Sequence, residues 1–147
     1  MPVSDLAAAL AGAVAEVLEN MFFTCVLGET DPAALPDCPS VSASLAFRGD
    51  PSGRFGVRLL RDAPRKIAAS FLGEEEESLT ELQIGEVVCE LANMLCGFVV
   101  SRFETESRFE LSQPVVDPSD FAPPKNPAAW GAYELEEGFL SLWLDLE

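Results

Sequence analysis

The sequence contains no histidine, and it carries only 9 Lys and Arg against 25 Asp and Glu. The missing imidazole removes Ser-His and Cys-His nucleophile pairs, His metal ligands and His general bases. Any catalysis must use carboxylates, amides, Lys, Cys or groups that a partner brings. The shortage of basic residues leaves a net charge of −16. That argues against nucleic acid, whose phosphates call for clustered Lys and Arg, and against an anionic membrane surface. It suits solubility, and it suits a partner protein that presents basic groups.

Other absences narrow the field. Cys25, Cys38, Cys89 and Cys96 form no CxxC pair, so zinc and thioredoxin-like chemistry have no support, and no metal site is expected. Free, buried thiols in a reducing compartment are the expectation. There is no Gly-rich phosphate loop. No uncharged apolar run reaches the ~20 residues of a membrane span, and the start, Met1 to Asp5, lacks the positive region of a signal peptide. The chain is therefore expected to be cytoplasmic and free of the membrane. What is present is a core: 48% of residues are hydrophobic and 10 are Phe, too many for a disordered chain. Residues 1–147 have the length of a single domain.

The local patterns predict elements. Ser4 can cap a helix reaching about Met21, with Leu6, Leu10, Val14, Val17 and Leu18 at helical spacing. Residues 28–40, with Pro32, Pro36 and Pro39, read as a loop. Val41, Ala43, Leu45 and Phe47 alternate with Ser42, Ser44 and Ala46, and after the turn at 49–53 Phe55, Val57 and Leu59 alternate with Arg54, Gly56 and Arg58. The pair is an expected antiparallel hairpin. Asp62 and Pro64 open a short helix that ends near Gly73. Glu74 to Glu77 read as a solvated linker. Ser78-x-x-Glu81 and Thr80-x-x-Gln83 are two capping boxes for a helix from about Thr80 to Phe103. A strand follows over 108–116, then a Pro-rich loop, then a strand that Tyr133 and Leu135 begin and Glu136-Glu137-Gly138 turns, and Leu140, Leu142, Leu144 and Leu146 share one face of a final strand. The expected fold is α+β: a mostly antiparallel sheet covered by helices, in the order α-β-β-α-α-β-β-β.

The long helix holds the candidate site. At ~100° per residue, Glu86, Glu90, Asn93, Gly97 and Ser101 share one sector. Nearly everything else there is apolar, so one thin polar line is left exposed. A solvated face is normally broad and mixed in charge, yet no basic residue stands between Glu81 and Arg102. Gly97 costs up to ~1 kcal/mol against Ala in a helix interior. Either it packs against a neighbouring element or it lets another backbone come close.

The run EVVCELANMLCG, with Glu86, Glu90, Asn93 and Gly97, resembles the signature of the CheC/CheX class of phosphatases. That family removes the phosphate from the aspartyl phosphate of chemotaxis-type response regulators. Its pattern is an acid or Ser, then Glu, then Asn on one helix, followed by Gly. Glu19-Asn20-Met21-Phe22-Phe23 and the segment from Phe109 to Val116 resemble the CheX-like branch. There are departures: position 86 is Glu rather than Asp or Ser, and Phe98, Val99 and Val100 are unusually apolar. The first helix offers Val17-x-x-Asn20, without the acid, so the resemblance implies one active face.

The resemblance implies roles. Asn93 would orient the attacking water, and Glu90 would pair with a Lys of a phosphorylated CheY-like regulator. Glu86, Gly97 and Ser101 would complete the docking surface. No cofactor of the chain's own is expected, because the regulator would bring Mg²⁺. Two alternatives stand beside this reading. One is a non-catalytic regulator-binding module of the same fold, and the other is a signalling scaffold in which the stripe is mere surface. A homodimer formed through an exposed edge of the C-terminal strands is a further expectation.

Overall fold

Why the chain settles as it does is clearest at the ends of its helices. In the computed structural model, residues 3–103, 108–118 and 121–147 are described. Helix α1 spans Val3–Met21. It starts one residue before Ser4, so Ser4 lies inside the helix and not at its cap. Its end is set by Phe23, which adopts φ 54° and turns the chain back, while Phe22 is fully buried and stacks on Phe71 at 4.7 Å between ring centroids. Helix α2 spans Ala63–Leu72, with Pro64 in its first turn and Gly73 in the left-handed C-cap conformation. Asp62 occupies its N-cap position without a side-chain hydrogen bond. Helix α3 spans Glu81–Val100 and starts in a complete capping box. The Gln83 backbone N–H donates to Thr80 Oγ1 at 3.1 Å, and the Thr80 N–H donates to Gln83 Oε1 at 2.8 Å.

The sheet is antiparallel throughout. Its strands are β1 (Val26–Thr30), β2 (Ser40–Arg48), β3 (Gly53–Arg61), β4 (Glu110–Leu111), β5 (Val115–Val116), β6 (Ala129–Leu135) and β7 (Gly138–Leu146). They run in the order β1-β6-β7-β3-β2-β4, with β5 also on β2. The β2–β3 hairpin pairs Val41 with Leu59 and Leu45 with Phe55. The α+β class and the order of elements hold, with two differences. The expected loop at 28–40 begins inside an extra edge strand, β1. Its pattern is weak because Leu27, Gly28 and Glu29 are all exposed. The expected strand at 108–116 is cut in two, because Pro114 has no N–H to give to the ladder.

All three helices lie on one face of the sheet. Phe55, Val57 and Leu59 of β3 and Leu140, Leu142 and Leu144 of β7 share one buried cluster with Leu10, Leu18, Leu91 and Leu95 of α1 and α3. By length and composition α3 alone would pass for a membrane span, yet Leu91, Leu95 and Val99 are fully buried in this chain's own core. The other sheet face is covered in part, although Trp130 on it stays 44% exposed. Trp143 is 4% exposed and is stacked by Phe121 from the Pro-rich segment at 6.3 Å.

Two further expectations change. Glu74 to Glu77 are more than a solvated linker. Glu76 pairs with Lys66, and Arg65 Nη1 donates to the Glu76 carbonyl at 2.9 Å, which ties the acidic run to α2. The C-terminal strands offer no free edge, because β7 is paired on both sides, by β6 and β3. β6 is likewise enclosed between β1 and β7. The edges belong to β1 and to the short β4 and β5, so the expected route to a homodimer loses its basis.

Candidate functional site

Helix α3 rests on β2 and β3 between α1 and α2. Its apolar residues Val87, Val88, Leu91, Leu95 and Val99 face inward and are 0–3% exposed. This orientation follows from the 3.6-residue period. It leaves Glu86 and Glu90 exposed and Asn93 and Gly97 half-buried on the outer line. Among the described residues, none of the side chains of Glu86, Glu90 and Asn93 is engaged in an intramolecular hydrogen bond or ion pair. Two carboxylates and an amide thus stand along one helix face with their bonding capacity free.

Beside this line lies an open groove of about 900 Å³. One wall is α3, with Leu82, Gly85, Glu86, Cys89, Glu90 and Asn93. The other is the segment between β4 and β5, which bulges away from the sheet at Gln113 and Pro114. The bulge is anchored at Ser112, whose N–H donates to the Ala46 carbonyl at 2.8 Å and whose Oγ accepts from the Ala46 N–H at 2.8 Å. Gly85 lets the second wall come close, since a β-carbon there would lie 3.1 Å from Val116 Cγ2.

The groove is electronegative. Glu81, Glu86, Glu90 and Asp117 line it, and no Lys or Arg does. Cys89 registers this field: burial pushes its thiol pKa up first, and the charges of Asp117 and Glu86 push it further. Asp117 accepts from Ser44 Oγ at 2.7 Å through Oδ1. Among the described residues, no three Cys, Asp or Glu side chains are placed to hold a metal ion.

The five expected site residues separate. Glu86, Glu90 and Asn93 line the groove, whereas Gly97 and Ser101 continue the same face beyond it. A β-carbon added at Gly97 would meet nothing within 4 Å. This glycine is therefore not explained by packing against a neighbouring element. Ser101 is the C-cap of α3, and its Oγ donates to the Phe98 carbonyl at 2.6 Å. The segment from Phe109 to Val116 was legible as a strand and as part of the family resemblance, but its role as a wall, and that of Leu82, was not, because it depends on β2 bringing 111–117 alongside α3.

The family model for the chemotaxis phosphatase CheX matches residues 41–122, which include α3 and both walls of the groove. The chain belongs to the CheX family. CheX from Vibrio vulnificus shares the fold at a TM-score of 0.76 and 18% identity, over 100% of this chain and 99% of that one. A CheX from Desulfovibrio desulfuricans matches at 0.72 and 19% identity, over 97% and 99%. The CheX of a CheX–CheY–BeF3–Mg²⁺ complex from Borrelia burgdorferi matches at 0.73 and 15% identity, over 95% and 96%. No curated protein matches the chain in sequence.

The departures from the CheX pattern can be weighed against the packing. Val99 and Val100 are 0% and 6% exposed, so their apolar character serves the core. Phe98 lies over Gly12 of α1 and under the Arg102 guanidinium, 4.4 Å from the ring centroid. None of the three alters the exposed line.

Proposed function

We propose that this protein hydrolyses the aspartyl phosphate of a CheY-type response regulator in the cytoplasm. Asn93 orients the attacking water, and Glu90 pairs with a Lys at the regulator's site. The observation that carries the reading is that Glu90 and Asn93 stand one turn apart on an exposed helix face, without partners of their own among the described residues. Membership of the CheX family supports it, and the Borrelia burgdorferi complex supports the choice of partner.

The chemistry asks little of the enzyme beyond position. Phosphoryl transfer through a loose transition state is accelerated by alignment and charge stabilisation. An amide can accept one water proton and donate to an oxygen at the same time, so Asn93 needs no basic pKa. The regulator's own Mg²⁺ supplies charge neutralisation at the phosphate. Glu90 fixes the docking register, and Gly97 leaves room for the regulator's backbone one turn further on.

The test separates the two residues. Asn93→Ala should preserve binding and reduce turnover by about 10²–10³-fold. Glu90→Ala should weaken affinity by about 2–5 kcal/mol, largely through faster dissociation. The readout is the lifetime of each phosphorylated regulator from the same organism, with and without the protein. Normal turnover by Asn93→Ala would leave a docking module, the second reading.

A further inference from the structure

The stripe explains how a phosphate would be reached, but it leaves the groove beside it without a role. Three observations there point the same way. First, the groove is edged by apolar side chains that water should not be facing. Of the residues that line it, Leu82 is 73% exposed and Val116 49%. Adjacent exposed apolar groups of this size, rimmed by polar ones, mark interaction surfaces. Second, the charge is one-sided, because four carboxylates and no cation line the groove. Third, it is continuous with the stripe, since Glu86, Glu90 and Asn93 belong to both. A partner held by Glu90 and Asn93 cannot avoid the groove.

The groove is also held in shape. The Ser112 anchor on Ala46 holds one end of the bulge, and the Asp117 N–H donates to the Ser42 carbonyl at 2.9 Å at the other. Gly85 sets the separation of the walls. The depression is thus a product of the pairing on β2, and it exists before any partner arrives.

We propose that this groove selects the regulator, by seating a segment that presents an apolar side chain flanked by Lys or Arg. The apolar group packs between Leu82 and Val116. The flanking cations meet Glu86, and Glu81 in place of its exposed ion pair with Arg65 at 3.3 Å. The inference rests on the proposed function and names the feature of the substrate protein that the site reads. Such contacts act equally on ground state and transition state, so they should appear in KM and not in kcat.

The experiment compares the parent protein with Leu82→Ser/Val116→Ser and with Glu81→Gln, over the full set of phosphorylated regulators. The substituted side chains are exposed, and equal thermal unfolding midpoints verify that the fold is kept. For the cognate regulator, the double variant should raise KM about tenfold at unchanged kcat. Glu81→Gln should raise KM less and weaken its dependence on salt, as expected for a screened charge contact. Unchanged KM in both variants overturns the proposal. The proposed function fails separately, if the parent shortens no regulator's lifetime or Asn93→Ala is fully active. In that event affinity alone is read, by fluorescence anisotropy with each unphosphorylated regulator. Tenfold weaker binding by the double variant upholds the groove, and equal affinities or no binding at all overturn it.

Discussion

The thiols show how far a side chain's chemistry is set by its address. Free thiols were expected to be buried. Cys96 is buried, Cys89 is half-buried and Cys25 is exposed. Cys25 leans on the Glu136 carboxylate, which raises its pKa by hydrogen bond and charge. Burial alone pushes Cys96 from 9.0 up to about 12. A folded-state pKa above the unfolded one means that the unfolded chain loses its proton first as pH climbs. The stability tied to this thiol is therefore whole below pH 9 and is lost as pH rises towards about 12. Cys96→Ala should flatten that alkaline decline relative to the parent in urea unfolding measured across the interval. An equally steep decline would mean that the thiol ionises freely in the folded state.

For elements, α3 is the instructive case. Its start was legible because a capping box is a local arrangement: Thr80 and Gln83 satisfy each other's backbone donors whatever lies around them. Its exposed line was legible because periodicity and burial are two views of one geometry. The meaning of Gly97 was not, since spacing alone fits both packing and partner access. With open space beside it, Gly97→Ala should gain up to ~1 kcal/mol of helix stability, or about 2–4 °C in Tm. The added methyl should slow dephosphorylation of the regulator. A rise in Tm with unchanged turnover would remove Gly97 from the docking surface. The strand at 108–116 shows the converse limit. Its alternation was visible, but a single Pro and the anchor at Ser112 turned its middle into a wall of the groove.

Across the whole molecule, the outer face of the sheet depends on contacts between distant segments. By the alternation of the last strand, Trp143 falls on the face opposite the leucines. It lies over Gly56 of β3, where any β-carbon would run into the indole, and Phe121 covers it from outside. Gly56→Ala should destabilise the protein by about 1–3 kcal/mol, the usual cost of overpacking, and lower the thermal midpoint. An unchanged midpoint would show that the indole is free to move aside.

What the sequence determined on its own is whatever chemistry acts within a few residues. That covers the helices, the capping box of α3, the β2–β3 hairpin, the apolar core faces, and the juxtaposition of Glu90 and Asn93 along one helix. The tertiary structure alone decided the order of the strands, the enclosure of the C-terminal strands between partners, and the covering of Trp143. It also decided the groove, whose walls are α3 and the 111–117 segment that β2 draws alongside it. The physical reason is range. Caps, turns and periodicity are set by bonds and spacings inside one element. Strand order and grooves are set by which apolar faces meet across the chain, and no local pattern records that.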